Sequence, residues 1–141
     1  MNVLDCSRLY GCKRFILSSS ASVYGSLEPP LTENLNPDPL NPYASSKVMC
    51  ENAVKTYYRV YGLETVSLRY FNVYGERQPE RGSYAPVMGK FLSARDDCEP
   101  LKVYGDGLQE RDFVHVGDVV RCNLLCAFSD NKEILGSIIN V

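Results

Sequence analysis

Tyr43 and Lys47, four residues apart, form the clearest chemical pairing in the chain. On a helix, positions i and i+4 share a face one turn apart. A free phenol titrates near ~10, too high for a base at neutral pH. A neighbouring ammonium favours the phenolate, which can take a proton from a substrate hydroxyl. Alone the spacing decides nothing, because Y-x-x-x-K also arises by chance in helices whose two side chains only snorkel at the surface. A second cluster lies upstream, in Ser18-Ser19-Ser20-Ala21-Ser22-Val23-Tyr24-Gly25. Hydroxyls just past the carboxyl end of a parallel strand sit where open α/β sheets place their ligands. Serines that cap a helix or decorate a turn give the same letters.

The elements that must position these groups follow from apolar periodicity. Residues 2 to 10 predict the end of an amphipathic helix closed by Gly11, and Arg14 to Ser18 a buried parallel strand. The proline-rich stretch from Gly25 to Pro42 is a loop, long enough to have a task of its own. Tyr43 to Tyr61 predicts a long helix ended by Gly62, and Glu64 to Phe71 a second buried strand. A helix at 84 to 97 follows, with short strands at Leu101 to Tyr104 and Arg111 to Val116. A helix at Gly117 to Ser129 and a strand at Ser137 to Val141 complete the pattern. This alternation predicts α/β architecture built on a parallel sheet.

Composition removes several function classes. With 45% hydrophobic and 23% charged residues, the 141-residue chain reads as globular and able to bury a modest core. A net charge of -2 gives no reason to expect nucleic acid or an anionic membrane as partner, and no apolar run approaches membrane-spanning length. The six cysteines form no C-x-x-C pair, and with one histidine a zinc site is hard to assemble, so no metal is expected. Cys122 and Cys126 would share a helix face. Reduced cysteines packed in the core of a cytoplasmic protein are the expectation, in place of a disulfide framework.

Taken together, a strand running into S-S-S-A-S-V-Y-G, a proline-rich loop, then N-P-Y-A-S-S-K opening a helix resembles the extended short-chain dehydrogenase/reductase family. The resemblance implies a catalytic triad of Ser20, Tyr43 and Lys47. Leu68 to Gly75 (LRYFNVYG) is similar to a segment of nucleotide-sugar epimerases. There the residue matching Phe71 lies against the nicotinamide, and that matching Asn72 contacts the substrate diphosphate. Ser18 and Tyr70 join Tyr43, Lys47 and Phe71 as implied cofactor contacts. Ser83 to Met88 (SYAPVM) resembles the substrate-side helix start, implying Tyr84 and Val87 as nucleotide contacts. Leu101 to Gly107 (LKVYGDG) resembles the uridine-edge strand, implying Lys102 and Tyr104. Gln109 to Val116 (QERDFVHV) carries the family's R-D-F-V-H-V signature, with Arg111 implied on the diphosphate. A guanidinium fork suits phosphate oxygens better than an ammonium does. Ser20 and Ser22 are implied on the sugar side, while His115 reads as structural.

Dehydratases of the family need an acid and a base beside the hydroxyl, where this chain has Ala21 and Ser22. The implied activity is therefore 4-epimerisation of a UDP-hexose with NAD, through a 4-keto intermediate, by a protein that pairs as a homodimer. The family's G-x-x-G-x-x-G loop, which seats the pyrophosphate on a helix amino terminus, does not occur among the ten glycines. Gly105-Asp106-Gly107 is the single G-x-G, and Glu110 stands where a third glycine is needed. The expectation is a truncated form: part of a Rossmann-like doubly wound parallel sheet plus the start of a small substrate-binding subdomain. Residues 1–80 hold the triad, and 81–141 hold substrate-binding and returning Rossmann elements. Two further readings stand beside it, a non-catalytic remnant or interaction module, and a UDP-uronic acid decarboxylase or epimerase.

Overall fold

The computed structural model describes residues 1–82 and 85–141. In chain order the elements are α1 (Asn2–Leu9), β1 (Arg14–Ser20), α2 (Pro42–Tyr61), β2 (Glu64–Tyr70) and β3 (Asn72–Tyr74). They continue as α3 (Val87–Asp96), β4 (Phe113–His115), α4 (Val116–Phe128) and β5 (Ser137–Asn140). Tight 3-10 turns occupy Ala21–Tyr24 and Lys132–Ile134. Two parallel sheets result, one in the order β1-β2-β5 and one pairing β3 with β4. No helix among the described residues is long and apolar enough to cross a membrane.

Local chemistry fixes both ends of α2. The Asn41 side chain accepts a hydrogen bond from the Ala44 N–H at 2.9 Å, and Pro42, which has no N–H to leave unsatisfied, takes the first helical position. At the other end Gly62 adopts φ 68°, a left-handed cap that a side chain would resist. The helix connects the parallel strands β1 and β2, whose register sets Ser18 beside Leu68, Ser19 beside Arg69 and Ser20 beside Tyr70.

Strand alternation divides the sheet's two faces. Phe15 and Leu17 pack with Leu4, Val54, Tyr57 and Leu63 on the side of α1 and α2. Ile16, Val66, Leu68 and Ile139 pack with Cys122 and Cys126 on the side of α4. Both faces are covered, which is why β1 and β2 read as continuous apolar runs. Arg14 closes the far end: its side chain pairs with Glu64 at 2.8 Å and donates to the carbonyls of Cys126 and Ser129, capping α4.

The α2 face also buries charge. Arg69 grips Glu51 through two hydrogen bonds of 2.9 and 2.7 Å, with the two side chains 1% and 4% exposed. Ser19 donates to the same carboxylate at 2.5 Å, and the Arg69 guanidinium stands 4.7 Å from the centre of the Tyr24 ring. Burial pushes the Arg69 guanidinium toward losing its proton, but the Glu51 hydrogen bonds and charge outweigh this, and its pKa is raised.

Several expectations need correction. Leu101 to Tyr104 is no strand; the segment is exposed and its ends are tied by turn contacts, Gln109 to the Tyr104 carbonyl and Asp106 to the Leu108 N–H. The strand expected at Glu64 to Phe71 ends at Tyr70. Phe71 donates its N–H to Val141, and the chain then enters the second sheet as β3. The helix expected at 84 to 97 begins at Val87, behind Pro86. The cysteines are free, but only Cys126 is buried; Cys6, Cys12, Cys50 and Cys98 are exposed.

Two measurements follow. Glu51→Leu strands the Arg69 charge and should lower stability by about 3–5 kcal/mol, whereas Glu51→Leu with Arg69→Met should lie near wild type, as read by urea unfolding. Burial, with Cys122 beside it, raises the Cys126 thiol from 9.0 to about 11. Its contribution to stability is therefore intact below pH 9.0 and is lost as the pH rises toward about 11. Urea midpoints across that window should fall further for wild type than for Cys126→Ala.

Candidate functional site

The serines and the tyrosine–lysine pair meet where the carboxyl end of β1 faces the opening turns of α2. Ser20 ends the strand, and its hydroxyl accepts the Ser22 N–H at 3.2 Å to start the 3-10 turn. The Ser22 hydroxyl itself is buried without a hydrogen-bond partner. Tyr43 lies in the first turn of α2 and is 55% exposed; among the described residues nothing hydrogen-bonds its hydroxyl. One turn on, the Lys47 ammonium stands 5.5 Å from the centre of the Tyr43 ring and donates to the Ser18 carbonyl at 2.8 Å. A positive charge is thus tethered between the phenol and the end of the serine strand. Such an arrangement gathers a phenol, a cation and hydroxyls at the end of the strand, groups able to pass a proton to or from a ligand hydroxyl.

Ser18 and Tyr70 come together on the opposite sheet face. Their hydroxyls are 3.2 Å apart, and the Asn123 amide lies 2.8 and 3.0 Å from the Tyr70 oxygen. Asn123 also donates to Val119, so α4 anchors this end of the sheet. Phe71 follows, its ring 6.3 Å from that of Tyr24. The Tyr24 hydroxyl donates to Asn140 at 2.7 Å, and Asn140 holds the proline-rich loop through Leu31 and Glu33. Gly25 is required there, since a side chain would collide with the Asp38 carbonyl.

Four of the expected substrate contacts line one cavity. A cleft of about 530 Å³ is bounded by Val87, Lys102, Tyr104 and Arg111, with Phe91 and Phe113 on its apolar side. The Lys102 ammonium sits 5.0 Å from the Tyr104 ring centre, and the Arg111 guanidinium donates to its neighbour Glu110. Apolar walls with two cations suit a flat ring carrying an anionic group. Asn72 stands apart from this cleft, its amide donating to the Asp112 carbonyl at 2.8 Å and tying β3 to β4. Tyr84 lies outside the described residues. His115 caps α4, its Nδ1 accepting the Gly117 N–H at 3.1 Å, which is a structural task. A second cleft, about 430 Å³ along Arg121, Leu124, Leu125 and Phe128, shares no residue with these groups.

Sequence reasoning missed Glu51, Asn123 and Asn140. Glu51 offered a signal, a carboxylate four residues beyond Lys47 and on the same helix as buried Val54 and Tyr57. Asn123 and Asn140 offered none, being single amides in apolar runs whose partners are distant in sequence.

The chain is similar to known proteins in sequence and in fold. The model of the NAD dependent epimerase/dehydratase family matches residues 1–141. A solved UDP-N-acetylglucosamine 4-epimerase from Methanobrevibacter ruminantium, in complex with UDP-N-acetylmuramic acid, is 41% identical with a TM-score of 0.92 over 99% of this chain. A UDP-glucuronate 4-epimerase of Thermodesulfobacterium geofontis is 36% identical over 86% of the chain. A UDP-N-acetyl-alpha-D-glucosaminuronate decarboxylase of Bacillus cytotoxicus is also 36% identical, over 99% of it. The chain spans 44%, 36% and 44% of those three proteins, less than half of each. With α/β architecture, parallel sheets and a family model matched from the first residue to the last, the chain belongs to the NAD dependent epimerase/dehydratase family.

Proposed function

We propose that this chain carries the proton-transfer and nucleotide-gripping portion of a UDP-sugar 4-epimerase working with NAD. The observation that carries the reading is the Lys47 ammonium, held by the Ser18 carbonyl at 2.8 Å and facing the exposed Tyr43 ring. Tyr43 takes the proton of the sugar 4-hydroxyl on its own oxygen and returns it, with Ser20 orienting that hydroxyl. Lys47 places its positive charge beside the tyrosine and steadies the ribose next to the nicotinamide. Ser18, Tyr70 and Phe71 complete the wall on the cofactor side, and the buried Ser22 hydroxyl, which lacks a partner, fits a polar ligand atom at the sugar. When bound, the nicotinamide supplies a reversible two-electron acceptor for the sugar carbon. The residues present fit that end of the cofactor; the 141 residues contain no G-x-x-G-x-x-G loop for its pyrophosphate. Arg111 and Lys102 grip the UDP diphosphate at the 530 Å³ cleft and Val87 and Tyr104 hold the uracil, while Asn72, apart from that cleft, and Tyr84 are further substrate contacts of this reading.

The same reading includes a homodimer through α1 and α2, whose outer faces expose Val3, Leu9, Met49 and Val60. It includes a reducing, cytoplasmic setting, in which four exposed thiols stay free. A second reading is binding without turnover. A third, decarboxylation of a UDP-uronic acid, keeps Tyr43 and Lys47 and changes only the sugar.

Epimerase assays with UDP-glucose, UDP-N-acetylglucosamine and UDP-glucuronate, NAD supplied, separate these readings. Turnover by wild type should fall roughly 10²–10⁴-fold in Tyr43→Phe with an unchanged thermal midpoint. Full activity in the variant overturns the epimerase reading. Arg111→Ala should weaken UDP binding by roughly tenfold or more in calorimetry, while Tyr43→Phe leaves UDP affinity in place. Equal UDP affinity in Arg111→Ala and wild type would remove the diphosphate role.

A further inference from the structure

Tyr43, Lys47 and Glu51 follow one another at four-residue intervals on α2. At 3.6 residues per turn each step rotates by about 40°, so the three side chains wind progressively around the helix. Their burial follows that rotation: Tyr43 is 55% exposed, Lys47 half-buried, and Glu51 4% exposed. Lys47 is bound to the Ser18 carbonyl and Glu51 to the Ser19 hydroxyl, neighbouring residues of β1. Arg69, which clasps Glu51 from β2, is the register partner of Ser19. Three directional hydrogen bonds of 2.5 to 2.9 Å thus converge on one carboxylate from two adjacent strands.

We infer that Glu51 is a positioning residue: it sets the rotation and height of α2 over the sheet, and with them the meeting of Lys47, Tyr43 and the end of the serine strand. Apolar packing alone would hold the helix as firmly, since buried ion pairs are seldom better than hydrophobic isosteres in stability. It would not hold it as sharply, because apolar contacts have no preferred direction and allow a helix to slide or roll. Reaction geometry is sensitive to displacements of an ångström. The same pair reaches further through Tyr24, which stacks on Arg69 and fastens Asn140 and the loop behind it.

The inference rests on the reading of Tyr43 and Lys47 as the reactive pair, and its test is independent of turnover. Wild type, Ser19→Ala and Glu51→Leu with Arg69→Met are treated with an acetylating reagent. Modification of Lys47 is followed by peptide mass spectrometry against the exposed Lys55 in the same molecule. Both variants should melt cooperatively, and the ratio of Lys47 to Lys55 modification should rise several-fold in each. Where the epimerase assay is positive, kcat should fall about tenfold or more with KM unchanged. Melting near the wild-type midpoint with the wild-type Lys47 ratio overturns the inference, because a merely structural pair would behave in that way. Ser19→Ala removes one hydroxyl and decides by the same ratio if the double variant fails to fold. Full activity in Tyr43→Phe sinks the catalytic reading alone, while the modification ratio still decides whether Glu51 positions α2.

Discussion

Taking a carboxylate and a guanidinium out of water is unfavourable, and their attraction repays it only with good geometry and few unmet polar atoms. Between α2 and β2 that condition is nearly fulfilled. Both Glu51 oxygens are bound by Arg69, one also receives the Ser19 hydroxyl, and the guanidinium lies against Tyr24. Arg69 Nη1 is left without a partner. The helix holding Tyr43 and Lys47, the serine strand, the next strand and the loop behind Asn140 all connect to this pair. Charge buried at this position contributes direction more than stability, and direction is what the open end of the sheet requires.

The two faces of the sheet divide the remaining work. Odd-numbered side chains of β1 and β2 meet α1 and α2, so Ser19 and Arg69 enter the charged core beside Thr65, whose hydroxyl meets the Val54 carbonyl. Even-numbered ones meet α4, so Ser18 and Tyr70 join Asn123 while Val66 and Leu68 pack against Cys126. Three consecutive serines therefore have three unrelated environments. Ser18 faces α4, Ser19 faces Glu51, and Ser20 leaves the strand to open a turn. A single-residue shift in register would exchange all three, which explains why the parallel pairing of β1 with β2 runs without interruption from Arg14 to Ser20.

Local signals make α2 legible in the amino-acid sequence: proline near its start, glycine just past its end, and apolar recurrence between. The strands β1, β2 and β5 are legible as apolar runs because both sheet faces are covered. The second sheet is not. β3 and β4 have three residues each, too few for a period, and they find each other across a gap of some forty positions. The 101 to 104 stretch has strand-forming residue types, yet no strand of the described residues pairs with it, and composition cannot supply a partner. The site follows the same rule. The Tyr43–Lys47 spacing is readable because it lies within one helical turn. Glu51 with Arg69 joins successive elements and Tyr70 with Asn123 distant ones, and either pairing emerges only once the elements have packed.

The Tyr43–Lys47 pair and the cation-bearing cleft occupy separate parts of the chain. Ser18 to Lys47 lies within thirty residues around β1 and the opening of α2, whereas the cleft with Lys102 and Arg111 is built from α3 and the segment before β4. Backbone bonds bridge the two parts. Phe71 donates to Val141 as β2 ends, and Asn72 donates to Asp112 through both its N–H and its amide. Arg111, which lines the cleft, is therefore joined through Asp112 to the residue two beyond Tyr70 at the end of the β1-β2-β5 sheet. A ligand with a diphosphate at one end and a sugar at the other matches such a division, because its charged end can be held by cations while its reactive end is left to a phenol and hydroxyls. The short β3–β4 ladder, which the amino-acid pattern alone concealed, fixes the distance between those two ends.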